Sequence, residues 1–189
     1  MTPEDLYGWR KGERTRLLAE RDALSEETLA VMRLRVDHHL ERSFPELVHG
    51  IVAFCWPHRN EYDFRHVAAQ LRRRGARTAL PVVVAPKKPL VFREWHPGVG
   101  MAQGPLGIPY PSESPEMIPD HALVPMVGWD GDGYRLGYGG AFCDRTLASL
   151  AKRPRVIGVA YEQAYLPTIC PQPHDIPMDF VVTERGVYR

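Results

Sequence analysis

Six glycines lie close together between Gly128 and Gly140, in the string VGWDGDGYRLGYGGAFCDRTL. The string follows an apolar run and precedes a helical pattern. Glycine lets backbone N–H groups turn toward one point because no Cβ stands in the way, and the start of a helix adds unpaired N–H donors with about half a positive charge. This pattern predicts a phosphate-binding loop. The alternative is a loop whose glycines serve only its turns.

The loop differs from two common phosphate motifs. No G-K-[ST] follows it, so it is not a Walker A loop, and Gly137-x-Gly139 is followed by Phe142 rather than by the third glycine of a dinucleotide fingerprint. The sequence also lacks H-E-x-x-H, G-x-S-x-G and cysteines at zinc spacing. These absences favour chemistry on a bound phosphate without a protein nucleophile.

Three arginines of the N-terminal segment follow one another at spacings of four and seven residues: Arg10, Arg14 and Arg21. At about 100° per residue they lie within roughly 40° of one another on a helix, as one basic stripe. Such a stripe is either a solvated surface or a clamp for phosphate groups, which suit the forked guanidinium.

Apolar strands alternate with helical patterns along the chain. Helices are predicted at 3–24, 25–42, 64–74 and 142–152, and strands at 49–55, 78–85, 122–127, 156–161 and 180–183. A further antiparallel strand is expected within 86–95, and the Pro- and Gly-rich stretch 96–119 is expected to be an irregular loop.

This order of elements predicts one α/β domain over residues 1–189. We expect a single three-layer αβα domain with a mostly parallel (mixed) open sheet, Rossmann-like, preceded by an N-terminal helical segment. Ligands bind outside the carboxyl ends of the strands in such sheets. The loops after Cys55, Val127 and Tyr161 should therefore share the ligand-binding edge.

The composition is that of an ordinary globular protein, with 44% hydrophobic residues, 25% charged residues and a formal net charge of +1. This balance argues against nucleic-acid and membrane-surface binding, and the apolar runs are too short to span a bilayer. The charged N-terminus lacks the apolar core of a secretory signal, and the three cysteines are widely spaced. We expect a cytoplasmic protein. The sequence contains no direct signal for the oligomeric state, and we expect a monomer.

The string VPMVGWDGDGYRLGYGGAFCDRTL resembles the signature of 5-formyltetrahydrofolate cyclo-ligases, roughly (V)P-x-x-(G/A)-(F)-D-x-x-G-x-R-(L/I)-G-x-G-x-G-(Y/F)-Y-D. The likeness extends through the loop WPHRNEYD, which contains Glu61, the segment 104–111 and the late pair His174-Asp175. The resemblance implies an ATP- and Mg²⁺-dependent ligase. Its reaction would convert 5-formyltetrahydrofolate to 5,10-methenyltetrahydrofolate and release ADP and phosphate.

The resemblance also implies roles for single residues. Arg14 and Arg135 would stabilise phosphate charge during catalysis, and Asp144 and Asp175 would bind Mg²⁺. The residues expected at the nucleotide are Arg10, Arg14, Arg135, Gly137, Tyr138, Gly139, Gly140, Ala141, Phe142 and Cys143. Those expected at the folate are Trp56, Glu61, Tyr138, Gly139 and Gly140.

Simpler interpretations stay open for several of these residues. Glu61 could be an ordinary loop glutamate and Trp56 a core tryptophan, while Asp144 could cap the following helix. Two positions depart from the family pattern, because Ala141 replaces the third glycine and Cys143 replaces a tyrosine. These departures motivate two alternative functions: a paralogue that acts on another pterin or one-carbon substrate, or a non-catalytic regulator that binds nucleotide or folate.

Overall fold

Two long helices open the chain, and each begins at a side chain that caps it. The computed structural model describes residues 2–189 and places α1 at Pro3–Asp22 and α2 at Glu26–Ser43. Thr2 accepts a hydrogen bond from the amide of Asp5, whose carboxylate accepts one from the amide of Thr2, which forms a capping box. The predicted N-terminal helices are confirmed.

Within residues 2–189, twelve strands and two further α-helices follow α2. In chain order, the strands between residues 2 and 189 are β1 (Ile51–Phe54), β2 (Arg77–Val82), β3 (Val91–Trp95), β4 (Met101–Gln103), β5 (Pro109–Pro111), β6 (Glu116–Met117), β7 (His121–Pro125), β8 (Gly128–Trp129), β9 (Arg135–Leu136), β10 (Arg155–Val159), β11 (Phe180–Val182) and β12 (Val187–Tyr188). The other helices are α3 (Arg65–Arg73) and α4 (Phe142–Ser149).

The main sheet has the order β12-β11-β10-β7-β1-β2-β3-β6. Its centre is parallel, because β1 pairs with both β2 and β7, and β10 pairs with both β7 and β11, in the parallel sense. Toward the two edges the pairing is antiparallel: β3 pairs with β2 and with β6, and β12 pairs with β11. The predicted mixed, mostly parallel α/β sheet is therefore confirmed, and the carboxyl ends of β1, β7 and β10 share one edge.

Helices cover both faces of the sheet, as alternation along β1 shows. Val52 and Phe54 belong to a buried cluster with residues of α2 and α3, whereas Ala53 belongs to a second cluster with Leu17 of α1 and Leu147 of α4. Successive strand residues point to opposite faces, so the sheet lies between two helical layers.

The stretch 96–119 is more regular than the sequence indicates. The expectation of an irregular loop is wrong, because β4 pairs with β5 and because β6 joins the sheet beside β3 through the pair Arg93 and Glu116. The glycine-rich segment also contains a two-stranded ribbon of β8 and β9. These short strands depend on partners elsewhere in the chain, and their own residues carry little strand pattern.

Candidate active site

Helix α1 lies across the carboxyl edge of the sheet and closes one side of a cleft there. The cleft has an empty volume of about 360 Å³, counting the space that opens to solvent. Its lining includes Leu17 and Arg21 of α1, Glu61 from the loop after β1, Met126 from the end of β7 and Tyr161 from the end of β10. The three loops that the sequence places at this edge therefore do meet there.

The ribbon of β8 and β9 is held by a buried carboxylate that the sequence interpretation did not single out. Asp130 is 2% exposed. Its Oδ1 accepts hydrogen bonds from the amides of Asp132 (3.2 Å) and Tyr134 (3.0 Å), and its Oδ2 accepts one from the amide of Ile169 (2.9 Å). Gly133 takes a φ of +78° in the same turn. Asp130 thus shapes the loop, and the D-x-x-G spacing was the signal for it.

The glycine-rich segment ends in two left-handed residues before α4 begins at Phe142. Gly139 has a φ of +94° and Ala141 a φ of +50°, a region that costs little for glycine but strains a residue with a Cβ. No side chain of residues 2–189 caps α4. Within the described chain the first-turn amides, up to Asp144, find no acceptor. Unpaired amides at a helix start are a ready site for an anion.

The arginine stripe of α1 faces this loop rather than open solvent. Arg14 donates through Nε to the carbonyl of Gly137 at 2.7 Å, and its guanidinium carbon lies 3.6 Å from the place where a Cβ on Gly139 would stand. Burial and the nearby charge of Arg10 lower the pKa of Arg14. A half-buried cation at the loop is thus available to a phosphate group.

Arg10 and Arg135 each bind one of the two aspartates that the family resemblance singles out. Arg10 Nη2 donates to Asp175 Oδ2 at 2.6 Å and also to the carbonyl of Cys170 at 2.9 Å. Arg135 Nη2 lies 2.6 Å from Asp144 Oδ1, and its side chain is only 6% exposed. Both arginines therefore neutralise the negative charge of a carboxylate at the site, Arg10 that of Asp175 and Arg135 that of Asp144.

The two aspartates retain oxygens that could bind a metal ion. Asp144 Oδ1 accepts from the amide of Ile176 and contacts Arg135, and Asp175 Oδ2 accepts from Arg10 and from the amide of Gln172. In residues 2–189, Asp144 Oδ2 and Asp175 Oδ1 have no hydrogen-bond donor. Burial acts to raise the pKa of Asp175, but the hydrogen bonds from Arg10 and the Gln172 amide outweigh it, so the pKa is lowered.

A magnesium ion is compatible with this pair of carboxylates. Over the described part of the chain, no three His, Cys, Asp or Glu side chains form a group that could hold a metal by themselves. Mg²⁺ commonly takes one or two carboxylates and completes its shell with water and substrate phosphate. The hard oxygens of Asp144 and Asp175 suit that mode of binding, in which the ion arrives with a nucleotide.

Glu61 is buried, and each of its carboxylate oxygens accepts one hydrogen bond, which excludes the interpretation of an ordinary exposed loop residue. It is 8% exposed. Oε1 accepts from the hydroxyl of Tyr138 at 2.9 Å, and Oε2 accepts from the amide of His58 at 3.0 Å. Burial raises the pKa of Glu61, while Arg21 and the hydroxyl of Tyr138 act to lower it. Tyr138, which is 44% exposed, thus links the glycine-rich loop to the carboxylate.

Trp56 and the remaining loop residues lie at the border between the site and the core. Trp56 packs partly against the core cluster of α2 and α3, and its ring carries the Arg65 guanidinium at 4.8 Å. Cys143 is half-buried against the other cluster. A Cβ added to Gly140 would lie 2.8 Å from the ring of Phe142, so position 140 has no room for a side chain. Trp56 therefore fits a core role at least as well as a ligand role.

The fold and the site define an α/β protein with a glycine-rich loop, an arginine of α1 beside that loop and a buried carboxylate at the carboxyl edge of a mixed sheet. Comparison with known proteins gives the family. The profile described as the 5-formyltetrahydrofolate cyclo-ligase family matches residues 7–184. The chain belongs to the 5-formyltetrahydrofolate cyclo-ligase family, a family of ligases. The resemblance and the enzyme class expected from the sequence are confirmed.

Named relatives and solved structures agree with this assignment. A 5-formyltetrahydrofolate cyclo-ligase of Mycolicibacterium smegmatis is 35% identical over 125 residues, which span 60% of this chain and 63% of that protein, less than two thirds of its length. The Escherichia coli cyclo-ligase is 31% identical over 68% of this chain and 74% of that protein. The NMR structure of a 5,10-methenyltetrahydrofolate synthetase from Aquifex aeolicus superimposes with a TM-score of 0.83 at 27% identity, covering 95% of this chain and 92% of that one.

Among the described residues, none of the helices combines the length and the apolar character that crossing a bilayer requires.

Proposed function

We propose that this protein catalyses the ATP-dependent cyclisation of 5-formyltetrahydrofolate to 5,10-methenyltetrahydrofolate, with release of ADP and phosphate. One observation carries the proposal. The glycine-rich loop that contains Tyr138 leads directly into the unpaired first-turn amides of α4, and Arg14 of α1 donates to this loop at the Gly137 carbonyl. The hydroxyl of Tyr138 in turn contacts the buried Glu61. A phosphate site and a polar site for a second ligand are thus joined through one short segment, as a reaction between two bound substrates requires.

The chemistry explains the need for ATP. Ring closure must expel the formyl oxygen, which is a poor leaving group until it is phosphorylated. In the proposed reaction the formyl oxygen attacks the γ-phosphorus and ADP leaves. N10 then attacks the carbon of the resulting imino-phosphate, and phosphate departs with the former formyl oxygen. No protein nucleophile takes part, so the protein contributes positioning and charge stabilisation.

The chain's own residues divide this work. The amides that follow Ala141 and the guanidinium of Arg14 would receive the phosphate oxygens. Arg135 would hold Asp144 in place through its 2.6 Å contact and supply positive charge nearby. Bound Mg²⁺ would neutralise phosphate charge through Asp144 and Asp175. Glu61 would accept hydrogen bonds from the folate.

We further propose that residues 1–189 form one domain and that the protein is cytoplasmic, acting as a monomer on ATP and the folate without a nucleic-acid or membrane partner. The absence of long apolar helices in the described residues and the modest net charge of +1 support this part of the proposal.

The decisive experiment mixes the purified protein with ATP, Mg²⁺ and 5-formyltetrahydrofolate and follows methenyltetrahydrofolate in the near ultraviolet. Formation of product and ADP in equal amounts is expected. Tight ATP binding without turnover of this folate would instead favour a paralogue with another pterin or one-carbon substrate, an alternative that the left-handed Ala141 and the half-buried Cys143 keep in view. If ligands raise the thermal stability of the protein but ATP is not converted to ADP in the presence of any folate, the protein is a regulator.

A further inference from the structure

Arg21, the third arginine of the α1 stripe, is almost completely buried at the carboxyl edge of the sheet. Its side chain is 7% exposed, and that of Glu61 is 3% exposed, with 3.8 Å between Nη2 and Oε1. Arginine is seldom buried unless its donors are satisfied. The burial of this one, within the cleft, indicates a role beyond solubility.

The guanidinium of Arg21 holds three segments together. Nη2 donates to the hydroxyl of Tyr138 at 2.6 Å, Nε donates to the carbonyl of Arg59 at 2.8 Å, and Nη1 reaches the carbonyl of Met126 at 3.4 Å. These partners belong to the glycine-rich loop, to the loop after β1 and to the segment after β7. The planar fork of arginine can serve three directions at once, which the single ammonium of lysine does less well.

A directed chain of hydrogen bonds runs from Arg21 to Glu61. Arg21 donates to the Tyr138 oxygen, and the Tyr138 hydroxyl donates in turn to Glu61 Oε1 at 2.9 Å. Because Arg21 fills the acceptor position of the hydroxyl, the hydroxyl proton is left to point at the carboxylate. The orientation of Tyr138 and the position of Glu61 are therefore both set by the same guanidinium.

We propose that Arg21 is a positioning residue for folate binding, which holds Glu61 and Tyr138 in the geometry that receives the folate and does not itself bind phosphate. This inference rests on the proposed function, because the ligand of Glu61 is taken to be the folate. It separates the stripe into two parts. Arg14 serves the glycine-rich loop through the Gly137 carbonyl, and Arg21 serves the carboxylate.

The charge of Arg21 also affects the protonation of Glu61. Burial raises the pKa of Glu61 and Arg21 opposes that rise, so removal of the guanidinium raises the pKa further. Folate binding to the charged carboxylate should then fail at a higher pH than in the wild type as the pH is lowered. The ionisable and polar groups around Glu61 are Arg21 on α1, Tyr138 on the glycine-rich loop, His58 on its own loop, Cys55 at the end of β1 and Tyr161 after β10.

The test compares Arg21→Gln and Arg21→Lys with the wild type in steady-state kinetics and in calorimetric binding of 5-formyltetrahydrofolate. For Arg21→Gln we expect the KM and Kd for the folate to rise about tenfold or more, the range expected when one partner of a buried charged network is lost. The KM for ATP should stay within about twofold, since Arg14 and the α4 amides are untouched. Arg21→Lys should recover part of the folate affinity.

Arg16→Gln is the matched control on the same helix. The Arg16 side chain is 46% exposed, and within residues 2–189 it pairs only with Glu13 and Glu20, so its replacement should leave both KM values unchanged. A double variant, Arg21→Gln with Glu61→Gln, adds a second check. If Arg21 acts through Glu61, the pair should lose no more folate affinity than Glu61→Gln alone.

Three results would overturn the inference. One is an unchanged folate KM in Arg21→Gln, and another is an equal rise of the KM for ATP and for folate. The third is full additivity with Glu61→Gln. Thermal unfolding will reveal whether Arg21→Gln folds. If it does not, Arg21→Lys replaces it in the test, and its KM for the folate should rise while its KM for ATP stays unchanged. A wild-type protein that fails to bind 5-formyltetrahydrofolate refutes the proposed function as well, which distinguishes that failure from failure of the inference alone.

Discussion

Ala141 offers a prediction about the loop that can be worked out numerically from its backbone. It stands immediately before α4 with φ +50° and ψ +24°, and it is exposed. For a residue with a Cβ the left-handed region costs about 1–2 kcal/mol. Glycine would remove this strain, but it also makes the unfolded chain more flexible, which lowers the free energy of unfolding by about 0.4–1 kcal/mol. Since Ala141 buries no methyl group, we expect Ala141→Gly to stabilise the protein by about 0.5–1 kcal/mol.

Denaturant unfolding measures this change, provided that the slope m stays constant. In thermal unfolding the same gain corresponds to a Tm about 1–4 °C higher for a domain of this size. The matched control is Ala30→Gly, at an exposed position inside α2, where glycine should cost about 0.5–1 kcal/mol. The two alanine-to-glycine changes are thus expected to have opposite signs. Equal destabilisation by both would show that residue 141 does not adopt the left-handed conformation in the folded protein.

Three further substitutions test the site. Asp144→Asn keeps an acceptor for the Ile176 amide but leaves Arg135 without its charged partner. We therefore expect loss of Mg²⁺-dependent ATP binding and turnover, and a free energy of unfolding lower by about 3 kcal/mol. Near-normal activity would remove Asp144 from the metal site. Asp175 has a pKa lowered from its ordinary 3.8, so its contribution is present above that pH and is lost as the pH falls through the folded-state pKa. Asp175→Asn should therefore be less stable than the wild type at neutral pH and equally stable in strong acid, and a constant difference at every pH would contradict this. Cys143→Tyr inserts a larger side chain beside a core cluster and should lower the free energy of unfolding by about 1–3 kcal/mol. Folate affinity should be kept or raised. A collapse of that affinity would show that the pocket is built around the smaller cysteine.

The succession of strands and helices along the chain and the loops that share one edge of the sheet were readable from the sequence, because both follow from local patterns. Apolar runs such as 122–127 and 156–161 became the parallel strands β7 and β10. The crowded glycines before Phe142 marked the loop that enters α4. A parallel sheet brings the carboxyl ends of its strands to one edge, so the meeting of the loops after β1, β7 and β10 followed from the element order.

The edge of the sheet was less predictable. The short strands β4, β5 and β6 lie in segments with few strand-forming residues, and β12 is only two residues long. β6 and β12 form because backbone groups of β3 and β11 need partners, and β4 and β5 pair with each other in a separate ribbon. Their pairing is therefore decided by neighbours that are distant in the sequence.

The sequence by itself determined which residue types the site would contain: a stripe of arginines, a glycine-rich loop, two aspartates and a glutamate after β1. Only the tertiary structure decided how they are partnered, since Arg10 meets Asp175 across 165 residues and Arg21 meets Tyr138 across 117. A spacing pattern fixes which side of a helix a side chain occupies, but the acceptor opposite it is set by packing. For the same reason the burial of Glu61 and the left-handed backbone of Ala141 depend on how the loops pack at the edge of the sheet. A local sequence pattern does not determine them.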